Sequence, residues 1–565
     1  MADFDEEKQK KQLSDLYKEE EEQLVASLAE SKYHLPYIDL GRVGIDNEAL
    51  RAISEKDARD LRVAPFKLFG KNIFIGVRTP GDDLFSNLKE AMERKSLIPT
   101  FYMVSSGSLN KVWERYKEIS MAESSKAGGI DISAEILRDI AKKIEKIQDI
   151  AELIKEAIEG NKTHKVSHIL EIILAGAIAI KASDIHIEAE KDNSRLRLRL
   201  DGVLQDIMFF KHEIYRLLNS RIKLLSGMKL TSVVAQDGRF SIMEDKEELS
   251  IRSSMIPGAY GESIVMRILD PKSIQVNLED IGIEPFLFSV IQEEIMKPNG
   301  LILITGPTGS GKTTTLYAFL RKIYSPEIKI ITIEDPIEYH LPGVTQTQTN
   351  EEKGYTFLEG LRSALRQDPD VVMVGEIRDT ETAKIAIESA LTGHMVFSTL
   401  HTNNAAGVIP RLIDLDVNPK IMVSALSLSI AQRLVRKLCK FCKQEKTPTE
   451  AEAKSMKLVL DSIKEEGKDL AKYNINPNAP FKVYTKVGCE KCNLTGYKGR
   501  IGIFEAIRTD EAIEKIIPEN PSEREIKKVA RNQGILSMRQ DGVVKILNGI
   551  TSIEEVQSVV DLNEE

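Results

Sequence analysis

The sequence predicts an α/β protein whose central element is a parallel sheet covered by helices on both faces. From about Pro285 onward, apolar strands at 301–304, 328–333 and 371–374 alternate with helical segments. Strands without polar alternation are buried on both faces, which is typical of parallel sheets. A second, antiparallel element precedes them, because 185–200 alternates apolar and charged residues with a period of two.

Length and composition indicate a soluble protein of several domains. The chain has 565 residues, enough for roughly three or four domains of ~100–200 residues each. Apolar residues make up 42% and charged residues 29%, as in ordinary globular proteins. The formal net charge of −9 argues against a protein that grips nucleic acid, for which a basic face is expected. This total does not exclude a local basic patch.

No segment of the sequence predicts secretion or a membrane span. Met1–Glu22 is charged and carries no apolar stretch behind a basic start. The longest apolar run, Ile172–Ile180, is closed by Glu171 and Lys181 and is much shorter than the ~20 residues of a membrane span. We interpret this run as a buried helix and the protein as cytosolic.

Changes of pattern divide the chain into five segments. They are a charged N-terminal helix or tail (1–34), an N-terminal docking domain (35–123), a helical linker (124–165), an antiparallel-sheet domain (166–284) and a parallel-sheet domain (285–565). Within the last, 436–497 is read as an insertion with four cysteines and 505–565 as C-terminal helices. The first segment is a solvated helix or a helix that docks to a partner, and the sequence leaves both readings open.

Local patterns place the elements of the first four segments. Ile73–Val77 is a predicted strand and Leu84–Arg94 a predicted helix. In the antiparallel domain, Asp201-Gly202 predicts the turn that ends a strand pair. Further strands are predicted around 240–242, 249–253 and 263–269.

A glycine-rich loop with the pattern G-x-x-x-x-G-K-[ST] lies between a buried strand and a helix. Its glycines let backbone N–H groups surround phosphate oxygens, and the following helix adds a partial positive charge. Lys312 is expected to reach the β- and γ-phosphates and Thr313 to bind Mg²⁺. The loop therefore predicts a site for a nucleoside triphosphate, formed by Gly306, Thr308, Gly309, Ser310, Gly311, Lys312, Thr313 and Thr314.

Two apolar strands end in acidic residues. The strand 330–333 is followed by Glu334, and the strand 371–374 is followed by Gly375-Glu376. Ligands lie at the carboxyl ends of the strands in open parallel sheets. One carboxylate can therefore orient the attacking water while the other holds the Mg²⁺ shell. The alternative is that both are ordinary residues of strand-end turns.

Two histidines, His394 and His401, flank the predicted strand 396–400. They offer too few ligands for a metal site. We expect both to form hydrogen bonds near the γ-phosphate, and a purely structural role for each is the alternative.

The four cysteines form two Cys-x-x-Cys pairs, Cys439/Cys442 and Cys489/Cys492. Four thiolates suit tetrahedral zinc, and a closed site of this kind is structural. Residues 443–488 separate the two pairs, so this long connection must bring the second pair back to the metal. Free buried thiols or a redox pair are the alternatives.

Four sequence strings resemble the signature boxes of the type II/type IV secretion ATPase superfamily. They are GPTGSGKTTTLYAFL, ITIEDPIEYHLPGVTQTQTN, LRQDPDVVMVGEIRD and TGHMVFSTLHTN, and they stand in the family order of phosphate loop, Asp box, Walker B box and His box. KASDIHIEAE and LRLDGVL upstream and GYKGRIGIFE downstream extend the resemblance over about Val166–Phe504.

The resemblance implies roles for individual residues. Glu334 would polarise the attacking water, and Glu376 would be the Walker B acidic residue. Arg252 and Arg267, in IRSSMIPGAYGESIVMRIL, would contact phosphate from the upstream domain and close a cleft when ATP is bound. Surface charges on strands are the alternative for both arginines. Many relatives carry a threonine after the proline where this chain has SMIPGAYGE, which leaves both arginines in register.

The resemblance also implies architecture and function. It predicts a RecA-like P-loop ATPase domain preceded by a PAS-like α+β domain and a smaller N-terminal domain, with a zinc-binding insertion. It further implies an ATP-hydrolysing homohexamer that works through an inner-membrane platform protein, at the cytoplasmic face of the inner membrane. The cysteine insertion and the long N-terminal part favour extension of a type IV pilus over retraction.

Three other functions are alternatives. A type II secretion ATPase would use the same chemistry to drive a pseudopilus. A DNA-uptake or conjugation motor is opposed by the acidic net charge, so no nucleic-acid partner is expected. A scaffold that binds ATP without hydrolysing it is opposed by the presence of Lys312, Glu334 and Glu376.

Overall fold

The computed structural model describes residues 21–563 except 42, 44, 47–48, 51, 70, 94, 96, 128–133, 161–164, 231–233, 245–246, 271–275, 474, 476–480 and 520. Residues 1–20 of the predicted N-terminal helix lie outside the described residues, while 21–28 are helical and Ala29–Tyr33 continues as a π-helix. The chain divides into two compact units, Met1–Ser133 and Ala134–Glu565.

The first unit contains a three-stranded sheet. Its strands are β1 (Val63–Phe69), β2 (Asn72–Val77) and β3 (Ile98–Met103), and its helices are α1 (Glu55–Asp60), α2 (Asp82–Glu93) and α3 (Ser106–Ala127). β1 and β2 are antiparallel, and β2 and β3 are parallel. The alternate residues Ile73, Ile75 and Val77 of β2 are fully buried. The predicted strand and the predicted helix are thus both confirmed, although Arg94 lies outside the described residues.

Three helices open the second unit, α4 (Ala134–Ala141), α5 (Ile147–Glu159) and α6 (Lys165–Ala179). α4 and α5 pack on α6. The contact with α5 is so close that a Cβ at Gly176 would lie 2.7 Å from Cδ1 of Ile150. Residues 134–159, which the sequence analysis placed in a linker, are therefore part of a packed unit. Residues 172–177 of the apolar run are buried, as predicted, and 178–180 are half-buried. None of the described helices is both long and apolar enough to cross a membrane.

A six-stranded antiparallel sheet follows. Its strands are β4 (Asp184–Ala189), β5 (Ser194–Leu200), β6 (Val203–Phe210), β7 (Gln236–Glu244), β8 (Glu247–Pro257) and β9 (Glu262–Leu269), with α7 (His212–Leu225) between β6 and β7. The strand order is β6-β5-β4-β9-β8-β7. The predicted strand pair is confirmed as β4 and β5. The predicted turn joins β5 to β6, with φ of 48° at Asp201 and 91° at Gly202.

The largest sheet has seven strands. The remaining strands of the chain are β10 (Gly300–Thr305), β11 (Ile330–Glu334), β12 (Thr345–Gln348), β13 (Val371–Val374), β14 (Met395–Leu400), β15 (Leu426–Leu438), β16 (Gln444–Lys446), β17 (Val483–Thr485) and β18 (Tyr497–Arg508). Their order in the large sheet is β12-β11-β13-β14-β10-β15-β18, and β16 pairs with β17. The predicted parallel sheet is present, but β18 adds an antiparallel edge strand.

Helices lie on both faces of this sheet. The helices described from residue 285 onward are α8 (Pro285–Ile295), α9 (Lys312–Ile323), α10 (Phe357–Leu365), α11 (Thr380–Leu391), α12 (Val408–Asp414), α13 (Pro419–Ala425), α14 (Glu450–Glu465), α15 (Glu511–Ile516), α16 (Glu523–Ala530), α17 (Met538–Leu547) and α18 (Ile553–Gln557). In β10, Ile302 and Ile304 share a core with α8 and α9, whereas Leu301 and Leu303 share one with α11. Because successive strand residues face opposite sides, burial on both faces explains why residues 301–304 of β10 are all apolar.

Candidate active site

The glycine-rich loop follows β10 at the carboxyl edge of the large sheet. β10 is buried at every position. Gly306, Gly309 and Gly311 have φ of 145°, 78° and 91°, a region that favours glycine. A Cβ at Gly306 would lie 2.5 Å from the carbonyl oxygen of Gln432, and one at Gly311 would lie 2.8 Å from its Nε2. The backbone of the loop therefore packs directly on β15 and admits no side chain at these two positions.

Helix α9 begins at Lys312, and its first N–H groups point towards the loop. Among the described residues, none caps this helix start with a side chain, so the N–H groups remain available to an anion. Thr308 and Thr313 are exposed and Thr314 is half-buried. Ser310 is buried, and within the described structure its Oγ has no hydrogen-bond partner. The arrangement fits a phosphate group, which would supply the missing acceptors.

Lys312 lies folded against its own loop. Its Nζ donates to the carbonyl oxygens of Gly306, at 2.7 Å, and Pro307, at 3.2 Å. Burial lowers the pKa of Lys312, an effect that the charge of Glu376 opposes and that of Arg433 reinforces. Phosphate oxygens are stronger acceptors for an ammonium group than neutral carbonyls. We therefore expect this side chain to exchange its carbonyl partners for a phosphate.

Glu334 ends β11 and is buried, with 3% of its surface exposed. Its carboxylate accepts hydrogen bonds from the hydroxyls of Tyr317 and Thr332 and, at 3.0 Å, from Nε2 of Gln346. Burial raises the pKa of Glu334 above its ordinary value, although these three donors counteract the shift. A raised pKa brings a carboxylate closer to the range in which it can accept a proton at neutral pH.

Tyr317 connects this carboxylate to the phosphate loop. The residue lies on α9, the helix that starts at Lys312, and is fully buried against Tyr339 with ring centroids 4.6 Å apart. Sequence analysis missed it, because a tyrosine inside an apolar helix face is ordinarily only part of the core. One helix thus carries both Lys312, which is predicted to bind phosphate, and a hydrogen-bond donor to the buried acid.

Glu376 lies beside Glu334 at the same sheet edge. The backbone N–H of Gly375 donates to the carbonyl oxygen of Ile333 at 2.8 Å, which holds the ends of β13 and β11 together. Glu376 forms an ion pair with Arg378. The structure thus brings the two predicted carboxylates to neighbouring strand ends, one buried and one within reach of solvent.

The two histidines lie at opposite edges of the sheet. His401 follows the carboxyl end of β14, and its Nε2 lies 3.5 Å from Oε2 of Glu376. His394 precedes the amino end of β14, where its Nδ1 lies 3.0 Å from the carbonyl oxygen of Ser389. A strand of this length separates its ends by about 17–20 Å. The expectation that both histidines line the site therefore does not hold for His394 in this structure.

Arg252 reaches from the antiparallel sheet to the segment that follows Glu334. Its guanidinium donates to the carbonyl oxygen of Ile337 at 2.8 Å and lies 3.2 Å from a carboxylate oxygen of Glu338. A second contact joins the same two sheets, since the N–H of Gly499 donates to Asp201 at 2.8 Å. Arg252 is thus placed against the Asp box rather than at the glycine loop.

Arg267 is the cross-strand partner of Arg252 and therefore shares its face of the sheet. Its side chain is 62% exposed and donates to Asp184 at 2.9 Å. Burial alone would raise the pKa of Asp184, but hydrogen bonds from Arg267 and Ser183 and the charges of Arg267 and Arg199 hold it below its ordinary value. In this arrangement the guanidinium of Arg267 forms an ion pair with Asp184 of the same sheet.

Sequence analysis also missed Gln432 and Arg433 on β15. Gln432 Oε1 accepts from Thr315 of α9 at 2.8 Å, and Arg433 donates to the carbonyl oxygen of Asn403 at 2.7 Å. Nη1 of Arg433 would lie 3.1 Å from a Cβ at Gly306. The available signal was the adjacent Gln-Arg pair in the string LSLSIAQRLV, within a mostly buried strand next to the edge of the sheet.

The four cysteines converge on one point. Their sulfur atoms all lie within 4.8 Å of one another, with Cys439–Cys489 at 3.9 Å, Cys442–Cys492 at 3.8 Å and Cys489–Cys492 at 3.7 Å. A tetrahedral site with Zn–S bonds of about 2.3 Å requires sulfur separations of about 3.8 Å. Burial opposes ionisation of Cys492, but backbone N–H groups of Cys489 and Gly496 and the neighbouring thiols lower its pKa to about 7. The donor set therefore fits zinc.

Comparisons with known proteins agree with this geometry. A family model described as Type II/IV secretion system protein matches residues 159–558. The chain is 41% identical to Type II secretion system protein E of Pseudomonas aeruginosa, over 76% of this chain and 80% of that protein. It is 38% identical to Type II secretion system ATPase E of Vibrio cholerae, over 84% and 90%. It is 33% identical to the type IV pilus assembly ATPase PilB of Myxococcus xanthus, over 95% and 91%.

Proposed function

Because the chain belongs to the type II/IV secretion system protein family, we propose that it is an ATP-hydrolysing motor that powers pilin polymerisation in type IV pilus assembly. The observation that carries the ATPase part is the common sheet edge, at which the glycine loop after β10 and the acids Glu334 and Glu376 at the ends of β11 and β13 all lie. Binding alone would need only the loop, whereas the buried acid beside it suits hydrolysis.

The residues at the carboxyl edge of the large sheet have different proposed roles in ATP hydrolysis. The loop N–H groups and Lys312 would hold and neutralise the phosphates, and Thr313 and Glu376 would hold Mg²⁺, which when bound would supply electrostatic stabilisation of the phosphoryl oxygens. Glu334 takes up or orients the proton of the attacking water, and its raised pKa suits that task. Arg378 and His401 hold Glu376 in position.

Arg252 supplies the link between hydrolysis and movement. It holds the segment directly after Glu334 from another sheet, so a shift of that segment changes the position of the antiparallel sheet. In this proposal the large sheet is a RecA-like domain, the antiparallel sheet a PAS-like domain, and Arg252 and Arg267 move to phosphate when the cleft closes. The closed four-thiolate site would give zinc a purely structural role.

The proposed assembly is a homohexamer in the cytoplasm, at the inner face of the inner membrane, which acts on a platform protein there. Cleft closure in successive subunits would turn or lift the platform, which adds pilins to the fibre. Two observations support pilus assembly over the type II secretion alternative. The pilus assembly relative aligns over more of the chain than the two type II secretion relatives do, and the N-terminal unit has its own folded sheet.

The first test measures Mg²⁺-dependent ATP turnover by the purified full-length chain together with its mass in solution. We expect slow turnover by an assembly with the mass of six 63.3-kDa chains, abolished in Lys312→Ala. The matched control is Lys322→Ala on the same helix, which removes only an exposed ion pair with Glu279. Turnover that survives in Lys312→Ala, or a monomer that hydrolyses ATP at full rate, would refute the proposed motor.

A second test separates the two machines. The gene is deleted in the source organism, and surface fibres and secreted proteins are both measured. Loss of fibres with unchanged secretion supports pilus assembly, whereas loss of secreted proteins with intact fibres assigns the chain to a type II secretion system. Hydrolysis stimulated by DNA would instead favour a DNA-transport motor.

A further inference from the structure

The side chain of Glu334 faces helix α9. Ile330 of β11 shares a core with Tyr317 of α9, whereas Ile331 lies in the core on the other face of the sheet. Because side chains alternate along a strand, Thr332 and Glu334 point to the same side as Ile330. The buried acid therefore lies between its own strand and the helix that follows the glycine loop.

The donors to Glu334 are divided unequally between its two carboxylate oxygens. The hydroxyl of Thr332 and Nε2 of Gln346 both donate to Oε1. The hydroxyl of Tyr317 donates to Oε2 and is, among the described residues, the one donor to that oxygen. A carboxylate offers about four lone-pair sites, two on each oxygen. Oε1 is therefore fully used, whereas Oε2 keeps one lone pair for a further donor.

Both donors to Oε1 of Glu334 are fixed within the sheet. Thr332 lies on β11, and Gln346 is its register partner on β12. The amide of Gln346 also donates to the carbonyl oxygen of Tyr339 at 3.1 Å and accepts from the N–H of Leu341 at 2.6 Å. These contacts anchor Oε1 to strands that carry no part of the phosphate loop.

The donor to Oε2, in contrast, belongs to the helix of the phosphate loop. Tyr317 follows Lys312 on α9, at about 7.5 Å along the helix axis for a rise of 1.5 Å per residue. Its ring is fully buried and packs edge-to-face on Tyr339. Burial and then the charge of Glu334 raise the pKa of Tyr317 far above its ordinary value, so the hydroxyl stays protonated and donates. The helix therefore holds this donor at a fixed distance from Lys312.

We propose that Tyr317 is a positioning residue for hydrolysis, and that Oε2 of Glu334 is the oxygen that receives the proton of the attacking water. This inference rests on the proposed function and deepens it. An O–H bond of the water breaks as its oxygen bonds to the γ-phosphorus, and the proton passes to Oε2. The bond from phosphorus to the bridging oxygen breaks, and its electron pair leaves with ADP. Tyr317 acts through Glu334, by turning the remaining lone pair of Oε2 towards the water.

The first test compares steady-state ATP turnover in three variants of the full-length chain. Tyr317→Phe removes the hydroxyl on Oε2, and Thr332→Val removes one of the two donors on Oε1. The control, Tyr497→Phe, removes a buried hydroxyl that is hydrogen-bonded to Ser552 at 2.8 Å, away from the sheet edge with Glu334. Tyr317→Phe is expected to lower kcat about 10–100-fold with an unchanged KM for ATP, the effect of a misplaced catalytic group. Thr332→Val should lower kcat much less, because Gln346 still holds Oε1, and Tyr497→Phe should not lower it.

The outcomes separate this inference from the proposed function. Equal losses in Tyr317→Phe and Thr332→Val would refute the assignment of Oε2, and an unchanged kcat in Tyr317→Phe would refute the positioning role. If Glu334→Gln abolishes turnover while Tyr317→Phe leaves it intact, the inference alone fails. A wild-type chain without turnover contradicts the proposed function, and the contact is then decided by a measurement that needs no hydrolysis.

That measurement is the free energy of unfolding as a function of pH. The hydroxyl of Tyr317 counteracts the rise that burial causes in the pKa of Glu334. Without this donor the folded pKa lies further above the unfolded pKa. Tyr317→Phe should therefore lose more stability than the wild type as the pH rises from the unfolded to the folded pKa, and the acidic limb of its kcat profile should move to higher pH. A loss of stability that is the same at every pH would overturn the proposal.

The control variant removes other titrations from this comparison. The titratable and charged groups around Glu334 are Tyr317 and Arg321 on α9, Asp335, Glu338 and Tyr339 after β11, Glu376 and Arg378 after β13, and His401 after β14. All except Tyr317 are present in every variant. Tyr497→Phe should therefore lose the same stability at each pH, and only Tyr317→Phe should show the added dependence.

Discussion

The substitution Glu334→Gln separates catalysis from stability at the buried acid. It keeps the size of the side chain and its acceptor oxygen for Thr332 and Gln346, but removes the negative charge and the ability to accept a proton. Glu334 is 3% exposed, and burial raises its pKa. A raised pKa means that the folded state disfavours the ionised form. The charge therefore opposes folding at neutral pH, and this cost grows as the pH rises from the unfolded pKa to the folded pKa.

Two opposite effects are expected from this change. Turnover should fall about 10²–10⁴-fold, the range for loss of a positioned proton acceptor, which corresponds to about 3–5 kcal/mol of the barrier. The melting temperature at neutral pH should stay equal or rise, because an uncharged amide replaces a buried charge. ATP binding should persist, since the glycine loop and Lys312 are unchanged.

The assays are steady-state ATP turnover, nucleotide binding and thermal unfolding on the same preparations. The matched control is Glu327→Gln, the same change at an exposed residue just before the amino end of β11. It should alter none of the three. Turnover of Glu334→Gln within a factor of two of the wild type would refute the assignment and transfer the water-activating role to Glu376. A large fall in melting temperature would refute the claim that the charge opposes folding.

Three further predictions test the contact of Arg252 with the segment after Glu334, the four-cysteine metal site and the ion pairs of Asp184. Arg252→Ala removes two contacts to the segment after Glu334 and should lower turnover about 10–100-fold, as expected for losing charged hydrogen bonds of about 1.5–3 kcal/mol; Arg252→Lys should recover part of it. Cys442→Ser should lower the zinc content below one ion per chain and reduce the melting temperature, measured by metal analysis and calorimetry; unchanged zinc would contradict the four-thiolate site. Asp184→Asn should destabilise the chain at neutral pH and flatten its acid-side loss of stability. The pKa of Asp184 is held below 3.8, so its ionised form stabilises the fold above about pH 4 and that contribution is lost as the pH falls through the folded pKa. Denaturant unfolding at several pH values checks it.

Features that depend only on a short stretch of consecutive residues could be predicted from the sequence. The glycine loop, the four cysteines and the strand pair with its Asp201-Gly202 turn all follow from local chemistry, and the structure has them. The strand that ends in Glu334 is also where its apolar run placed it. In each case the spacing of residues determines the geometry without knowledge of distant parts of the chain.

Features that depend on distant partners could not be predicted in this way. The helices α4 and α5 have the pattern of helices with one buried face, but the pattern does not say which surface they cover. The same holds for Tyr317, whose bond to Glu334 depends on α9 packing beneath β11. His394 is different, because a strand that places His401 at the carboxyl edge must place its own start at the opposite edge. That outcome was available from the length of the strand.

The long pairing of β15 with β18 has a mechanical consequence. Both strands run from the surroundings of the glycine loop, at Gln432, to the cysteine module, where β15 ends beside Cys439 and β18 starts five residues after Cys492. The distance along β15 from Gln432 to Cys439 is about 23 Å at ~3.3 Å per residue. If a strand pair of this length moves as a rigid body, a tilt of about 10° at Gln432 displaces the end at Cys439 by about 4 Å. Small rearrangements at the glycine loop would therefore be amplified at the four cysteines.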